Sequence, residues 1–477
     1  MDNFKKIFTS FVTNSLKIIM LVIVFGAIIL GMKFTTSFNL ALLLQVVFYV
    51  GSISIFYKLI KNKNFSNKNI ILYVIGIGFI ARLLWLLNAN TVPVSDFKTM
   101  YNSALDVLNG NFNTLHGNGY IARFPHLTMM VLYFTFMMKV FPNALLAIKV
   151  VNILLSVVTI YLIYKICKEV FEKEEYALTG AFIAAIFPPM ISYIGVFCTE
   201  NIAIPFYLGS IYLFIRFIKR KNGLGILALS GILLSLGNLF RMVAAVTVIA
   251  FIMYIIIYYG GKVSQKIKAS VTLIASFIII LVITSFTIKS FGITEFQLWK
   301  GSEPSATNIV KGLNIESGGR WNEEDAAIPE LCDYDYEKME KMSNEIIKER
   351  LTKTPPMKLF KFYVEKFGSQ WRVGDMDGVF WTKLSLEDNE MIVDFSGKNI
   401  PTFQWFYIVI ILLTYLGLFN KRRIKNEVIN LFYIIFCGYG LSYLITENQS
   451  RYAYIVCWLF IIFAVSGIER IKTWRSS

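Results

Sequence analysis

Three arginines and two carboxylates stand where an apolar chain would not place charge by accident. Arg82 lies inside an apolar run, one or two turns from its end, Arg241 sits between two such runs, and Arg451 opens the last. Arginine at membrane depth is costly and usually functional, and its planar fork is the natural partner of a phosphate. Each of the three has a plainer reading: the side chain snorkels to the lipid headgroups or pairs with a carboxylate. Glu447 and Arg451, four residues apart, fit such a pair. Asp96, in Pro93-Val94-Ser95-Asp96-Phe97, opens a segment whose Phe97, Tyr101, Ala104, Leu105 and Leu108 recur at helical spacing. There a carboxylate either caps the helix or serves as a general base toward a hydroxyl, kept ionised by the helix N-terminus. Glu200, in Cys198-Thr199-Glu200-Asn201, carries the same two readings. His126 follows Phe124-Pro125, and with His116 it makes up all the histidine in the chain. Neither has a second ligand at metal spacing.

The elements that must hold these residues are membrane helices. Of 477 residues 56% are hydrophobic and 16% charged, more apolar and less charged than soluble chains. About 20 apolar residues cross the hydrocarbon core as a helix. The sequence predicts twelve such spans, near 15–32, 38–59, 70–88, 145–164, 176–196, 201–218, 223–239, 242–260, 269–290, 401–419, 427–445 and 452–469. Pro188-Pro189 is expected to kink or end the fifth. The net charge of +16 is gathered between the runs, which excludes a nucleic-acid surface and matches the positive-inside pattern of cytoplasmic loops. The five cysteines show no paired spacing, so neither a disulfide framework nor a metal site is expected.

The basic loops also set direction. Residues 123–141 are apolar enough to span, yet counting them so would throw the later basic loops to the opposite side from Lys61 and Lys63. Read as a helix at the outer interface, they leave both termini and the loops at Lys61-Asn62-Lys63, Lys165 to Lys173, Lys219-Arg220-Lys221, Lys262 to Lys268 and Lys421-Arg422-Arg423 cytoplasmic. Asp96, Glu200 and the three arginines then share the outer face, an anion-binding pocket beside a carboxylate. The expected organisation is an N-terminal accessory hairpin (1–60), a transmembrane module (61–290) with an outer loop at 89–141, an α-rich outer lid (291–400) and C-terminal transmembrane helices (401–477). Within the lid, Tyr334 to Lys366 reads as helix broken at Pro355-Pro356, and FKFYVEKFGSQW reads as an amphipathic helix resting on the membrane.

The order of these motifs carries a resemblance. An outer Pro-x-Ser-Asp, then Arg123-Phe124-Pro125-His126, the Thr199-Glu200 junction, a Gly-x-Leu-Leu-Ser-Leu…Phe-Arg span end and Glu447-Asn448-Gln449-Ser450-Arg451-Tyr452 before the last helix resemble the GT-C superfamily of membrane glycosyltransferases. The likeness is to the bacterial family 39 type, related to protein O-mannosyltransferases and the aminoarabinose transferase of lipid A. It covers about 70–470 and implies a GT-C fold with interfacial helices in the first catalytic loop. It implies transfer of a sugar from a polyprenyl-phosphate carrier to a cell-envelope glycan, lipid or protein at the outer leaflet of a bacterial cell membrane. Asp96 matches the catalytic carboxylate. On that basis Arg82, Arg241 and Arg451 are expected on the donor phosphate, and Glu200, Tyr101, Arg123, His126 and Glu447 on the sugar or acceptor. Many relatives carry a second acidic residue where this chain has Phe97 and Arg123, so no metal or other cofactor is expected. A lipid-linked glycan flippase or transporter is the main alternative, with an O-antigen ligase or polymerase beside it; a transporter would be expected to show paired half-repeats and midplane charges.

Overall fold

The computed structural model describes residues 2–34, 40–62, 64–220, 223–393, 401–420 and 427–475. Lys63, Lys221, Lys421, Arg422 and Arg423 of the basic loops, and residues 38–39 of the second expected span, lie outside them. Three long apolar helices come first: α1 (Asp2–Lys33), α2 (Leu40–Lys61) and α3 (Asn67–Asn88). The outer loop follows as strand β1 (Ala89–Thr91), α4 (Ser95–Leu108), the single turn α5 (Tyr120–Arg123) and α6 (Thr128–Val140). Next come α7 (Ala144–Phe171), α8 (Glu174–Ile186), the short α9 (Pro189–Ser192), α10 (Glu200–Arg220), α11 (Leu224–Phe240), α12 (Ala245–Ile257) and α13 (Val263–Ser290). The lid block holds α14 (Ala306–Gly312), α15 (Glu323–Ala326), α16 (Ile328–Leu331), α17 (Tyr336–Lys353), α18 (Pro356–Trp371), α19 (Gly378–Leu384) and strand β2 (Leu386–Met391). Helices α20 (Pro401–Gly417), α21 (Ile429–Ile445) and α22 (Trp458–Arg475) close the chain.

Each expected span falls on a helix, and among the described residues the fold is all-α apart from one two-stranded ladder in which β1 pairs antiparallel with β2. Six of the described helices are long and apolar enough to cross a membrane alone. Others are shorter because the chain breaks off near the site. The fifth expected span is helical only to Ile186; Pro188 and Pro189 stop it, and residues 193–199 continue as buried irregular chain. Non-helical backbone survives at that depth only because protein surrounds it and supplies its hydrogen bonds. The last span is likewise bent by 62° between a 3₁₀ segment, Ser450–Val456, and α22.

Segment 123–141 is not one straight helix. The chain turns by 109° between the stretch ending at Arg123 and the one beginning at Pro125, and α6 has 13 residues. At about 1.5 Å per residue α6 alone is shorter than a hydrocarbon core of about 30 Å, as are α8 and α12. Helix α1 packs chiefly on α20, α18 and α21, and α2 on α20, α3 and α8, so both are built into the bundle. Helix α18 is amphipathic. Its Phe362, Lys366, Gly368, Gln370 and Trp371 are buried against neighbours that include α1 and α21, leaving Met357, Phe360 and Val364 as the exposed apolar stripe.

Two ends of the bundle are chemically distinct. At one, Lys5 meets Glu427, Lys219 meets Glu172 and Lys472 meets Glu175, while Lys168 pairs with Glu174 at 2.8 Å. Helix α10 runs from Glu200 at the opposite end to this basic one. The lid covers that opposite end. Ser302 N–H donates to Ala122 O at 3.0 Å, Asn448 N–H to Gly319 O at 2.7 Å, and the Lys366 ammonium to the carbonyls of Gly312, Leu444 and Thr446. Gly312 is required there: a Cβ would stand 2.2 Å from Ile445 O.

Candidate active site

Beneath the lid lies a cavity of about 260 Å³. Its walls come from the starts of α4 and α10, the turn around Pro125, the end of α11, helix α14 and the 447–452 segment. Asp96, Arg123, His126, Glu200, Arg241, Glu447 and Arg451 all line it. These residues are scattered over most of the sequence, and it is the ends of the helices that gather them.

Asp96 sits in the first turn of α4. The capping position is Val94, and no side chain makes the cap bond. The capping role is therefore vacant, and the carboxylate is left to face the cavity. Ser95, with φ at +51°, turns the chain into the helix there. A non-glycine residue in that region is strained, and such strain gathers at functional sites. Tyr120 bonds the Asp96 side chain; burial first, and the carboxylate second, push its phenol above the ordinary range.

Arg241 caps α11 and lies 4.9 Å from the Tyr452 ring, its Nε 3.4 Å from Glu200 Oε1. Thr199 donates to the other Glu200 oxygen at 3.1 Å. Arg451 is held by rings, its guanidinium carbon 5.0 Å from Phe97, 4.8 Å from Trp381 and 5.4 Å from Tyr452. It does not pair with Glu447, which accepts from Gln449 and whose N–H donates to Asn308 at 3.0 Å. Burial raises the Glu447 carboxyl above the usual carboxylate range. The Nε of Arg241 and the Nε and Nη1 of Arg451 are buried without a hydrogen-bond acceptor. A buried cationic donor left open costs several kcal/mol unless something anionic fills it, on the order of the desolvation penalty per ion.

Arg123 is committed elsewhere. Its Nε and Nη2 hold Glu303 of the lid at 2.8 and 2.7 Å, and Thr307 holds the other Glu303 oxygen at 2.6 Å. It lines the cavity as the latch between outer loop and lid. His126 is neutral: burial, then the nearby Arg241 charge, lowers it to about 4. The unfolded chain therefore binds the proton first. Stability should fall as pH drops from about 6.5 toward 4, and His126→Gln should flatten that part of a thermal-midpoint profile.

Two residues named from the sequence are placed outside the cavity. Arg82, wholly buried in α3, donates through Nε to Ser156 at 2.6 Å, through Nη1 to Gly78 O and Ala185 O at 2.9 Å each, and through Nη2 to Ala184 O at 3.2 Å. It caps the carbonyls that α8 leaves open where Pro188 stops it. Arg82→Met should cost on the order of 3 kcal/mol, from two carbonyls stripped of partners. Activity per folded molecule should persist, which a thermal-shift measurement beside a transfer assay checks. Tyr101 packs edge-on against Phe134, their centroids 5.8 Å apart. The cavity takes Asp96, Phe97 and Met100 from α4, and Tyr101 lies about 140° round the helix from Asp96. Tyr120, Lys311, Trp321, Gln449 and Tyr452 also line the cavity and were not singled out. Of these only Tyr452, beside Arg451, stood next to a residue already named.

Residues 126–288, about a third of the chain, match the model of the dolichyl-phosphate-mannose-protein mannosyltransferase family. The matched stretch runs from the turn at Pro125 through α13, so the likeness to that family rests on the end of the outer loop and the helices that follow it. No curated protein matches the chain. Among solved structures it is similar to the oligosaccharyltransferase of Archaeoglobus fulgidus in its apo form, at 11% identity and TM-score 0.49. It is similar also to oligosaccharyltransferase AglB from the same organism, in complex with an inhibitory peptide and a dolichol-phosphate, at 13% identity and TM-score 0.49. Each likeness covers 87% of this chain and 52% of that one, so the chain spans about half the length of the structures it matches.

Proposed function

We propose that the protein transfers a sugar from a polyprenyl-phosphate carrier to a hydroxyl of a cell-envelope glycan, lipid or protein. The observation that carries this reading is the buried, open guanidinium of Arg451, lining one cavity with Asp96 and with the Arg241–Glu200 ion pair. In the proposed reaction Asp96 takes the proton of the acceptor hydroxyl as its oxygen attacks the anomeric carbon. The bond from that carbon to the phosphate oxygen breaks, and the lipid phosphate leaves with the electron pair. Attack opposite the phosphate inverts the anomeric centre. Arg241 and Arg451 stabilise the leaving phosphate, an electrostatic contribution available without reorganisation because their donors are already fixed. Glu200 orients Arg241, and Glu447, His126 and Arg123 border the sugar or acceptor. The lid at 291–400 selects the acceptor and excludes water. The cavity end is taken as extracytoplasmic and the basic end, with both termini, as cytoplasmic, in the manner of a bacterial multi-pass protein.

Reconstituted protein given a radiolabelled polyprenyl-phosphate sugar and an envelope acceptor fraction should move label into the acceptor with inverted configuration. Because the leaving phosphate is stabilised by arginine in this reading, a chelator should leave the rate unchanged. Absence of transfer from every polyprenyl-phosphate sugar tried would refute the proposal.

A further inference from the structure

A second cavity, of about 400 Å³, lies between α2, α3 and the start of α20, with Phe48, Ala81, Trp85 and Phe403 among its walls. It opens sideways: Leu84 and Leu87 on its rim are exposed, as residues facing lipid would be. Two amides interrupt the apolar wall, Asn88 and Gln45, and Asn88 is satisfied: its Nδ2 donates to Val393 O at 3.1 Å and its Oδ1 accepts from Val393 N–H at 2.8 Å. The inward stripe of α2 includes Ala41, Gln45, Tyr49 and Phe56. Tyr49 donates to Ile186 O at 3.3 Å and Phe56 stacks on Phe182 at 4.1 Å, so each has a partner. Gln45 is 5% exposed, lines the cavity, and has no partner for either its oxygen or its nitrogen. A buried amide with both ends open is costly, and leucine would fill the same stripe without that cost.

The chemistry of the missing partner follows from three facts. Gln45 needs a donor for its oxygen and an acceptor for its nitrogen, close together. Among the described residues no cationic side chain lines the cavity, so none of them would hold a phosphate. Gln45 lies five residues into α2 and Trp85 three residues from the end of α3, about 7 and 5 Å below the helix ends on the lid side. That is the depth at which headgroup gives way to hydrocarbon.

We infer that this groove is a binding site for a neutral diacylglycerol-type lipid, whose free hydroxyl donates to Gln45 Oε1 and whose neighbouring ester carbonyl accepts from Nε2. Its acyl chain lies along Phe48, Ala81 and Phe403. A polyprenol chain offers no ester, and the glycerol region of a phospholipid offers acceptors without a donor.

The test uses the full chain in phosphatidylcholine nanodiscs with a diazirine-bearing diacylglycerol. Labelling should map to α2 and α3, and unlabelled dioleoylglycerol should compete it away while polyprenol does not. Gln45→Leu should weaken it about tenfold, the loss expected for a buried hydrogen-bonded pair. Ala81→Phe, which leaves Gln45 intact and fills the groove, should abolish it, and decides the matter if the first variant fails to fold. Undiminished labelling in the folded variants, or competition by polyprenol as strong as by dioleoylglycerol, would overturn the assignment.

Discussion

Asp96→Asn should lower sugar transfer by about 10²–10⁴, the usual span for loss of a positioned general base. Asparagine keeps the shape and removes the proton acceptor. Since Asp96 makes no capping bond to its own helix, the thermal midpoint should hold. Donor binding should hold too, because the phosphate is assigned to the arginines. Initial rates with the labelled donor, and photolabelling by the same donor, separate the two quantities. Activity within a few-fold of the parent in folded Asp96→Asn protein would remove Asp96 from the chemistry.

Arg451→Met has the second large effect and an unusual signature. Transfer should drop by about 10²–10³, as when one fixed donor to a developing oxyanion is deleted. Stability should change little. Two of its donors are buried and open, so removing them relieves a desolvation penalty of several kcal/mol. The attraction of the cation to Glu200 and Asp96 is lost with them. So are the contacts with Phe97, Trp381 and Tyr452, each worth about 0.5–2 kcal/mol. Arg82→Met should behave oppositely, losing stability while folded molecules keep their activity. If Arg451→Met instead unfolds the protein at low temperature and its folded fraction still transfers sugar, Arg451 is a packing residue.

The contrast between those two arginines marks what the sequence makes legible. Depth in an apolar run identifies a buried guanidinium; it does not say what accepts from it. For Arg82 the acceptors are backbone carbonyls of α8, a hundred residues away and freed by Pro188, and only the packing of α3 on α8 brings them together. Arg451 has the same local signature, yet rings surround it and its donors stay open. The helices themselves were readable because hydrophobic runs and basic loops depend on local chemistry and on the bilayer. The interfacial reading of 123–141 followed from charge bookkeeping; the structure adds a 109° turn at Phe124 that no local pattern announced. Tyr101 was misplaced for a simpler reason: it lies one turn further along α4 than Phe97, and there it packs against Phe134 while the cavity takes only Asp96, Phe97 and Met100. Lys311 and Trp321 had no local signal at all. They reach the cavity because the lid folds back over it and is latched by Glu303 to Arg123.

The most direct measurement of the central claim is a structure of the protein with a polyprenyl phosphate bound. The account predicts phosphate density between Arg241 and Arg451, within hydrogen-bond distance of Arg451 Nε and Nη1, on the cavity wall shared with Asp96. Phosphate density elsewhere, with those donors still open, would contradict it.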